Sequence, residues 1–325
     1  MRLQERGAAL LTVLLLVAIV AVIAGTALEK LRLSTRIAAN AGTTEQLRGY
    51  AFAAEALALA RIGTLAGASE TRTTLTGGWS GRPFTLPVPD GGLATARVSD
   101  GGNCFNLNGL VREMTPGAYQ SASAQRPIFT RLMALVGVAP PVADQVAAAA
   151  ADWIDTDAEQ QAGGAEDPSY VARDPSYRTA GTLMADPSEL RALNGMTPEV
   201  YAAIRPWVCT LPIAEPAAIN VNTLLPEQAP LLASLMQDAI SVEGVRRALL
   251  SRPAQGFAST AAFWAQPALA SLSAGEASSQ TAVKSGWFAL AIDVRVGSAS
   301  LEEHALIDAR RLPARLATRQ WGERS

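Results

Sequence analysis

Apolar and polar positions divide the chain into three regimes. From Gly7 to Leu28 every position is uncharged, and the run through Leu10, Val13, Val20, Ile23 and Leu28 is almost wholly apolar. A helix rising about 1.5 Å per residue over that length crosses a bilayer core of about 30 Å. Beyond it, Glu29, Lys30, Arg32 and Arg36 alternate with Leu31, Leu33 and Ile37. Leu47, Tyr50, Phe52, Leu57 and Leu59 then recur at helical spacing, and the first proline is Pro83. This periodicity predicts one helix to about Ile62, apolar in its first half and amphipathic in its second, where the apolar stripe would lie on a sheet.

Turn residues follow at Gly77-Gly78, Pro83, Pro87 and Pro89-Asp90-Gly91-Gly92. Short strands are predicted at 82–86, 93–98 and 104–108. From Thr115 to about Ala274 the pattern becomes helical fragments separated by Pro-, Gly- and Asp-rich loops. Strands return at 286–296 and 301–312. There Ile292, Val294 and Val296 share one face and Asp293 and Arg295 the other, and Gly297-Ser298-Ala299-Ser300 supplies a hairpin connection. The expected fold class is therefore α+β. A long N-terminal helix packs on an antiparallel sheet that is interrupted by a large inserted all-α domain, helix-hairpin-helix-like or SAM-like. The expected boundaries are a leader at 1–7, a membrane-spanning part at 8–28, helix and first strands at 29–111, the insertion at 112–275, returning strands at 276–315 and a frayed polar tail at 316–325.

Ahead of the apolar run stand only Met1 to Gly7, with Arg2 and Arg6 as cations. Those arginines would stay cytoplasmic and send the rest of the chain outward. A secretory signal peptide would need a shorter apolar core and a small-residue cleavage site, which Ala18 or Ala21 only mimics. An uncleaved anchor fits the length equally well. Met1-Arg2-Leu3-Gln4-Glu5-Arg6-Gly7 followed by Ala8 also resembles a class III prepilin leader, cut between Gly7 and Ala8 ahead of the membrane helix.

Composition adds constraints. The 325 residues carry a net charge of −2, and lysine occurs only at Lys30 and Lys284. Between Asp144 and Asp238 the cations are Arg173, Arg178, Arg191 and Arg205 alone, so the helical fragments there lack the basic face that nucleic acid requires. A catalytic constellation is equally hard to assemble. His304 is the only histidine and lies in a predicted strand, where a surface position is expected, and there is no Gly-x-Ser-x-Gly elbow or phosphate-cradling loop. The chain reads as an assembly component, not an enzyme. Cys104 and Cys209 form an even pair which, in an exported chain, suggests one structural disulfide; two free buried thiols are the other reading.

Asp152, Asp155, Asp157, Glu159, Glu166, Asp167 and Asp174 crowd one short segment. Carboxylates that close repel unless a cation or full solvation intervenes. Clustered hard oxygens on a Gly-containing loop suit Ca²⁺, with its flexible shell of six to eight ligands; Mg²⁺ keeps more of its waters, and Zn²⁺ would find no His or Cys nearby. The spacing is not that of an EF-hand. Asp155, Asp157, Glu166, Asp167 and Asp174 are the expected ligands, against the alternative of a solvated acidic loop.

Several strings together resemble the general secretion pathway protein K (GspK) family, the largest minor pseudopilins of type II secretion. They are the leader, Asp100-Gly101-Gly102-Asn103-Cys104-Phe105-Asn106-Leu107-Asn108, Asp152-Trp153-Ile154-Asp155 with Gly164-Ala165-Glu166-Asp167 and Tyr170, and Ala218-Ile219-Asn220-Val221-Asn222-Thr223-Leu224. The resemblance implies structural calcium in the acidic loop, and cleavage before Ala8 with possible methylation there. It implies an inner-membrane location with a periplasmic C-terminal domain, and a cap role at the tip of a pseudopilus exporting folded exoproteins. Implied partners are the other minor pseudopilins, the major pseudopilin, prepilin peptidase and, further out, secretin and exoproteins. Most pilins and pseudopilins carry Glu at the fifth mature position, where this chain has Thr12. A subunit with no neighbour ahead of it does not need that carboxylate, which would be costly in lipid. The alternative implied is a minor pilin of a type IV pilus or of a competence pseudopilus.

Overall fold

The computed structural model describes residues 2–89, 91–236, 240–270, 272 and 275–322. A single helix, α1 (Arg2–Gly67), spans 66 residues and is about 100 Å long. It is followed by strands β1 (Pro83–Val88), β2 (Gly92–Asp100) and β3 (Phe105–Asn106), then a hairpin of β4 (Val111–Thr115) and β5 (Ala118–Ser121). Helices α2 (Gln125–Leu135), α3 (Pro140–Ile154), α4 (Asp167–Val171) and α5 (Pro198–Ile204) lead to β6 (Val208–Cys209) and β7 (Ile219–Asn220). Helices α6 (Ala229–Ser234), α7 (Val242–Leu250), α8 (Thr260–Trp264) and α9 (Gly275–Ser279) lead to β8 (Thr281–Ala282) and finally β9 (Trp287–Val296), β10 (Ala299–Asp308) and β11 (Arg315–Trp321).

The principal sheet has the order β1-β2-β9-β10-β11 and is antiparallel throughout. The period-two pattern read in β9 is realised: Leu290, Ile292 and Val294 are buried against α1 while Arg295 is exposed. Pro83 and Pro87 sit in β1, an edge strand, where a missing N–H disrupts no interior ladder.

Packing of α1 departs from the expected stripe. Its buried apolar positions are Leu47, Ala51, Ala54, Ala58, Ile62 and Ala66, whereas Phe52 and Leu57 are exposed. The helix presents a row of mostly small residues, which lets its backbone approach the sheet closely. Larger side chains on that face would hold the two layers apart.

The C-terminal segment also differs. Residues 315–321 form β11, paired with β10 from Glu303↔Trp321 to Asp308↔Arg315, instead of the expected polar tail. The insertion is larger than 112–275: it leaves the sheet at Asp100 and returns at Trp287, and Gly101 N–H donates to Trp287 O at 2.9 Å. It is not wholly helical, since β4 and β5 form a hairpin across Pro116-Gly117.

The insertion is built from two halves that use the same device. In the first, β3 pairs in parallel with β6, and Asn108 takes Met184 N–H on Oδ1 while donating to Met184 O. In the second, β7 pairs in parallel with β8, and Asn222 takes Phe257 N–H while donating to Phe257 O. The two Asn-x-Asn strings are thus buried clasps of irregular backbone. The Cys104–Cys209 disulfide joins β3 to β6 across a separation of 105 residues.

A buried polar junction attaches the insertion to the sheet. Asp100 accepts from Thr223 Oγ1, Ser285 Oγ and Gly102 N–H, and Asn220 donates to Ser285 Oγ and Thr73 O. Burial drives the Asp100 carboxyl upward from its usual range, against the pull of those donors. All these links lie at the end of the sheet where α1 terminates, near Gly67 and Leu312. The insertion therefore crowns the head at the pole opposite the apolar half of α1.

Candidate functional site: the acidic loop after α3

Helix α3 begins with Pro140 and Pro141 in its first turn and buries a run of alanines from Ala147 to Ala151. Small side chains let α3 sink into the insertion core beside α2, so its C-terminal residues, Asp152 to Asp155, emerge buried. Asp152 is fully buried and Asp155 is 2% exposed. The chain then turns: Thr156 N–H and Oγ1 bond to Tyr119 O, and Thr156 Oγ1 accepts from Tyr119 N–H. This stitches the loop to β5. Glu166, directly before α4, is 5% exposed.

The structure brings together Asp155, Asp157 and Glu166, with one carboxylate oxygen from each within 4.8 Å of the others. Both Asp155 oxygens and Glu166 Oε1 are buried and receive no hydrogen bond. Burial, then repulsion from Asp157, Asp152 and Glu166, pushes Asp155 up to about 7. Burial, then Asp152 and Asp157, pushes Glu166 up to about 7. Unpartnered buried carboxylates of one sign are costly on their own. An all-oxygen donor set converging on one point suits a hard divalent cation of the Ca²⁺ type.

The other two expected ligands stand apart from this group. Asp167 Oδ1 accepts from Thr179 N–H and Oγ1 at 3.0 Å, and Oδ2 accepts from Arg178 at 3.0 Å. The Thr179 amide bond leads in holding its carboxyl below the usual range. Asp174 is exposed and precedes the cis Pro175. Asp167 thus clasps the following loop, and neither residue joins the convergent three. Beneath the site, Trp153 packs edge-on to Tyr170 at 5.5 Å, Tyr170 lies 5.3 Å from Tyr177, and Arg173 covers the Tyr170 ring.

His304 is half-buried on the outer face of the sheet, 3.8 Å from Glu302, rather than fully at the surface. Two groups that composition did not single out prove structurally central: the Asn-x-Asn clasps, whose signal was their repetition, and the Glu55–Arg319 pair, which has no local signal.

A long N-terminal helix, apolar at its start and packed by its second half on an antiparallel sheet, defines a pilin-like subunit. Its inserted domain and the convergent carboxylates narrow the class further. The family described as "Type II secretion system (T2SS), protein K" matches at residues 103–213 and again at 219–284, one match to each half of the insertion. The type II secretion system protein K of Klebsiella pneumoniae is 37% identical over 98% of this chain and 97% of its own length. That of Pectobacterium carotovorum subsp. carotovorum is 32% identical over 99% and 98%. A chain in the crystal structure of the GspK-GspI-GspJ complex from enterotoxigenic Escherichia coli superposes with a TM-score of 0.74 at 31% identity, covering 86% of this chain and 97% of that one. The chain belongs to the type II secretion system protein K family and is a minor pseudopilin of that system.

Proposed function

We propose that this chain caps the tip of the periplasmic pseudopilus and helps start its assembly. The observation that carries this reading is the position of the insertion, residues 101–286, at the pole of the head opposite the apolar half of α1. A body of that size above the sheet would obstruct a further subunit stacking ahead. Thr12 supports the same reading: counted from Ala8 it is the fifth residue, and it leaves no buried carboxylate seeking a partner in front. Among the described residues α1 is the one helix long and apolar enough to cross a membrane. It would hold the subunit in the inner membrane, with the head in the periplasm, until α1 is drawn into the filament. Cleavage between Gly7 and Ala8 would leave α1 as the mature N-terminus. The partners would be this system's counterparts of GspI and GspJ, named with the related E. coli chain.

Under the same reading Asp155, Asp157 and Glu166 hold one structural Ca²⁺. Three carboxylates supply the anionic ligands and leave room for carbonyl or water oxygens. The ion would neutralise the repulsion within the loop and stiffen a segment with few apolar anchors.

Two measurements test the reading. Mass spectrometry of protein from the native membrane should find an N-terminus at Ala8; an intact Met1 would contradict pseudopilin processing. Co-expression with the GspI and GspJ counterparts should yield a stoichiometric complex, and a persistent monomer would remove the tip role.

A further inference from the structure

Asp152 is the one carboxylate of the acidic segment that is fully buried and also fully engaged by backbone. Its two oxygens accept from Gln161 N–H, each at 3.2 Å, and Oδ2 accepts from Ala165 N–H at 2.8 Å. The residues bound lie nine and thirteen positions further on, and Ala165 immediately precedes Glu166. The loop between is mostly exposed: residues 156–160, 162 and 163 carry no buried apolar side chain. Its other bonds are few: Gly164 N–H to Gln161 O at 2.8 Å, Gln160 Nε2 to Gly164 O at 2.7 Å, Glu159 N–H to Asp157 Oδ1 at 2.9 Å, and Arg126 of α2 to Gln161 Oε1 at 3.4 Å. Asp152 is the buried anchor that ties both Gln161 and Ala165 to the end of α3, and so returns the chain from Asp157 to Glu166.

Gly164 makes that closure possible. A Cβ placed on it would stand 2.0 Å from Asp152 Oδ2 and 2.8 Å from Asp152 Cγ. Any side chain there would force the Asp152 carboxylate off the Ala165 amide.

We propose that Asp152, seated against Gly164, is the positioning residue of the cation site: it pre-sets the loop that carries Glu166 to Asp155 and Asp157, without itself ligating the ion. This rests on the reading of those three residues as a divalent-cation site. Groups that orient the ligands of a metal site typically govern affinity by about 10–100-fold when altered. Asp152 does so through backbone, by ordering the metal-free loop in advance of binding.

The test uses the full chain in detergent, with Tb³⁺ as a luminescent stand-in for Ca²⁺ excited through Trp153, and Ca²⁺ as competitor. Lifetimes in H₂O and D₂O count the waters bound to the ion. Asp155→Ala, which removes a ligand, should add bound water. Asp152→Asn and Gly164→Ala should each weaken Ca²⁺ competition about 10–100-fold while leaving the water count at the wild-type value. Gly164→Ala keeps every carboxylate, so it separates loop closure from charge and serves if Asp152→Asn fails to fold. Hydrogen exchange on the metal-free chain should find the Gln161 and Ala165 amides protected in wild type and unprotected in both variants. Wild-type affinity in Asp152→Asn and Gly164→Ala overturns the positioning role. Added bound water in Asp152→Asn overturns it too, by making Asp152 a ligand. A wild-type chain without saturable, Ca²⁺-displaceable luminescence removes the cation reading itself and the positioning role with it.

Discussion

Arg319 of β11 grips Glu55 of α1 through two parallel hydrogen bonds of 2.8 Å, joining the last strand to the first helix across 264 residues. The pair is sealed on one side by aromatic rings, since the Arg319 guanidinium lies over Phe52 at 4.7 Å and Phe52 meets Trp321 edge-on at 5.5 Å. Bidentate, charge-assisted geometry puts this half-buried contact in the strong class of ion pair. It fixes β11 as a working edge of the sheet.

Removing one partner would strand the other. Arg319→Ala leaves Glu55, 9% exposed, and Glu303, fully buried, facing each other without a cation. Breaking a buried pair this way costs about 3–5 kcal/mol. Chemical denaturation of the Arg319→Ala protein should report a loss of that order, whereas Arg315→Ala, at the other end of the same strand, should change stability little.

Glu303 gives the head a pH dependence of its own. Burial, followed by the hydrogen bond and charge of Glu55, raises its carboxyl to about 8. Glu55 moves the other way: burial pushes it up, but Arg319 and the Glu303 hydrogen bond together hold it below its ordinary value. A neutral Glu303 can donate its proton to the Glu55 carboxylate. The folded state thus binds a proton that the unfolded chain releases near pH 4.5. Its contribution is complete below that pH and fades as pH climbs through about 8. Glu303→Gln should therefore match wild type near pH 4.5 and exceed it at pH 9 by something on the order of 2–4 kcal/mol. Thermal melts across that range provide the check; equal curves would mean Glu303 is charged in the fold.

Much of this architecture was legible because its signals are local. The uncharged run after Gly7, the alternation through Ile292 and Val294, and the convergence of Asp155, Asp157 and Glu166 each sit within one element or loop. What sequence pattern misjudged depends on distant partners. In β11, Leu316, Thr318 and Gln320 give weak alternation, and the strand exists because β10, Glu55 and Phe52 receive it. Phe52 and Leu57 advertise an apolar stripe, yet the sheet selects the alanines of α1 for close approach. Asp167 looks like its neighbour Glu166 in composition, but Thr179 and Arg178 engage it from a later turn.

The disulfide should matter mainly to the insertion. Cys104 and Cys209 close a loop of 105 residues, and the chain-entropy account assigns loops of that size about 2–5 kcal/mol. Reduction, or the Cys104→Ser/Cys209→Ser double variant, should lower the melting transition of the insertion by a corresponding amount. The sheet and α1 lie outside the closed loop, so hydrogen-exchange protection of β9 and β10 should survive. Loss of protection throughout would mean the two parts fold as one unit.

Asn108 shows what the Asn-x-Asn strings do. It is fully buried, and its amide donates to Met184 O at 3.0 Å and Leu211 O at 2.9 Å while accepting from Met184 N–H at 2.8 Å. No other residue type of that size offers two donors and an acceptor in one plane. Asn108→Ala would leave three backbone groups unpaired in the core, each at about 1–3 kcal/mol, and so cost on the order of 3–9 kcal/mol. Asn108→Asp should do no better, since it sets a buried charge against two carbonyl oxygens. Asn222 makes the same two bonds to Phe257, but its second donation, to Val283 O, is stretched to 3.5 Å, so Asn222→Ala should cost somewhat less. Urea denaturation of the three variants would rank them, and a loss below about 1 kcal/mol in Asn108→Ala would mean that water replaces the clasp.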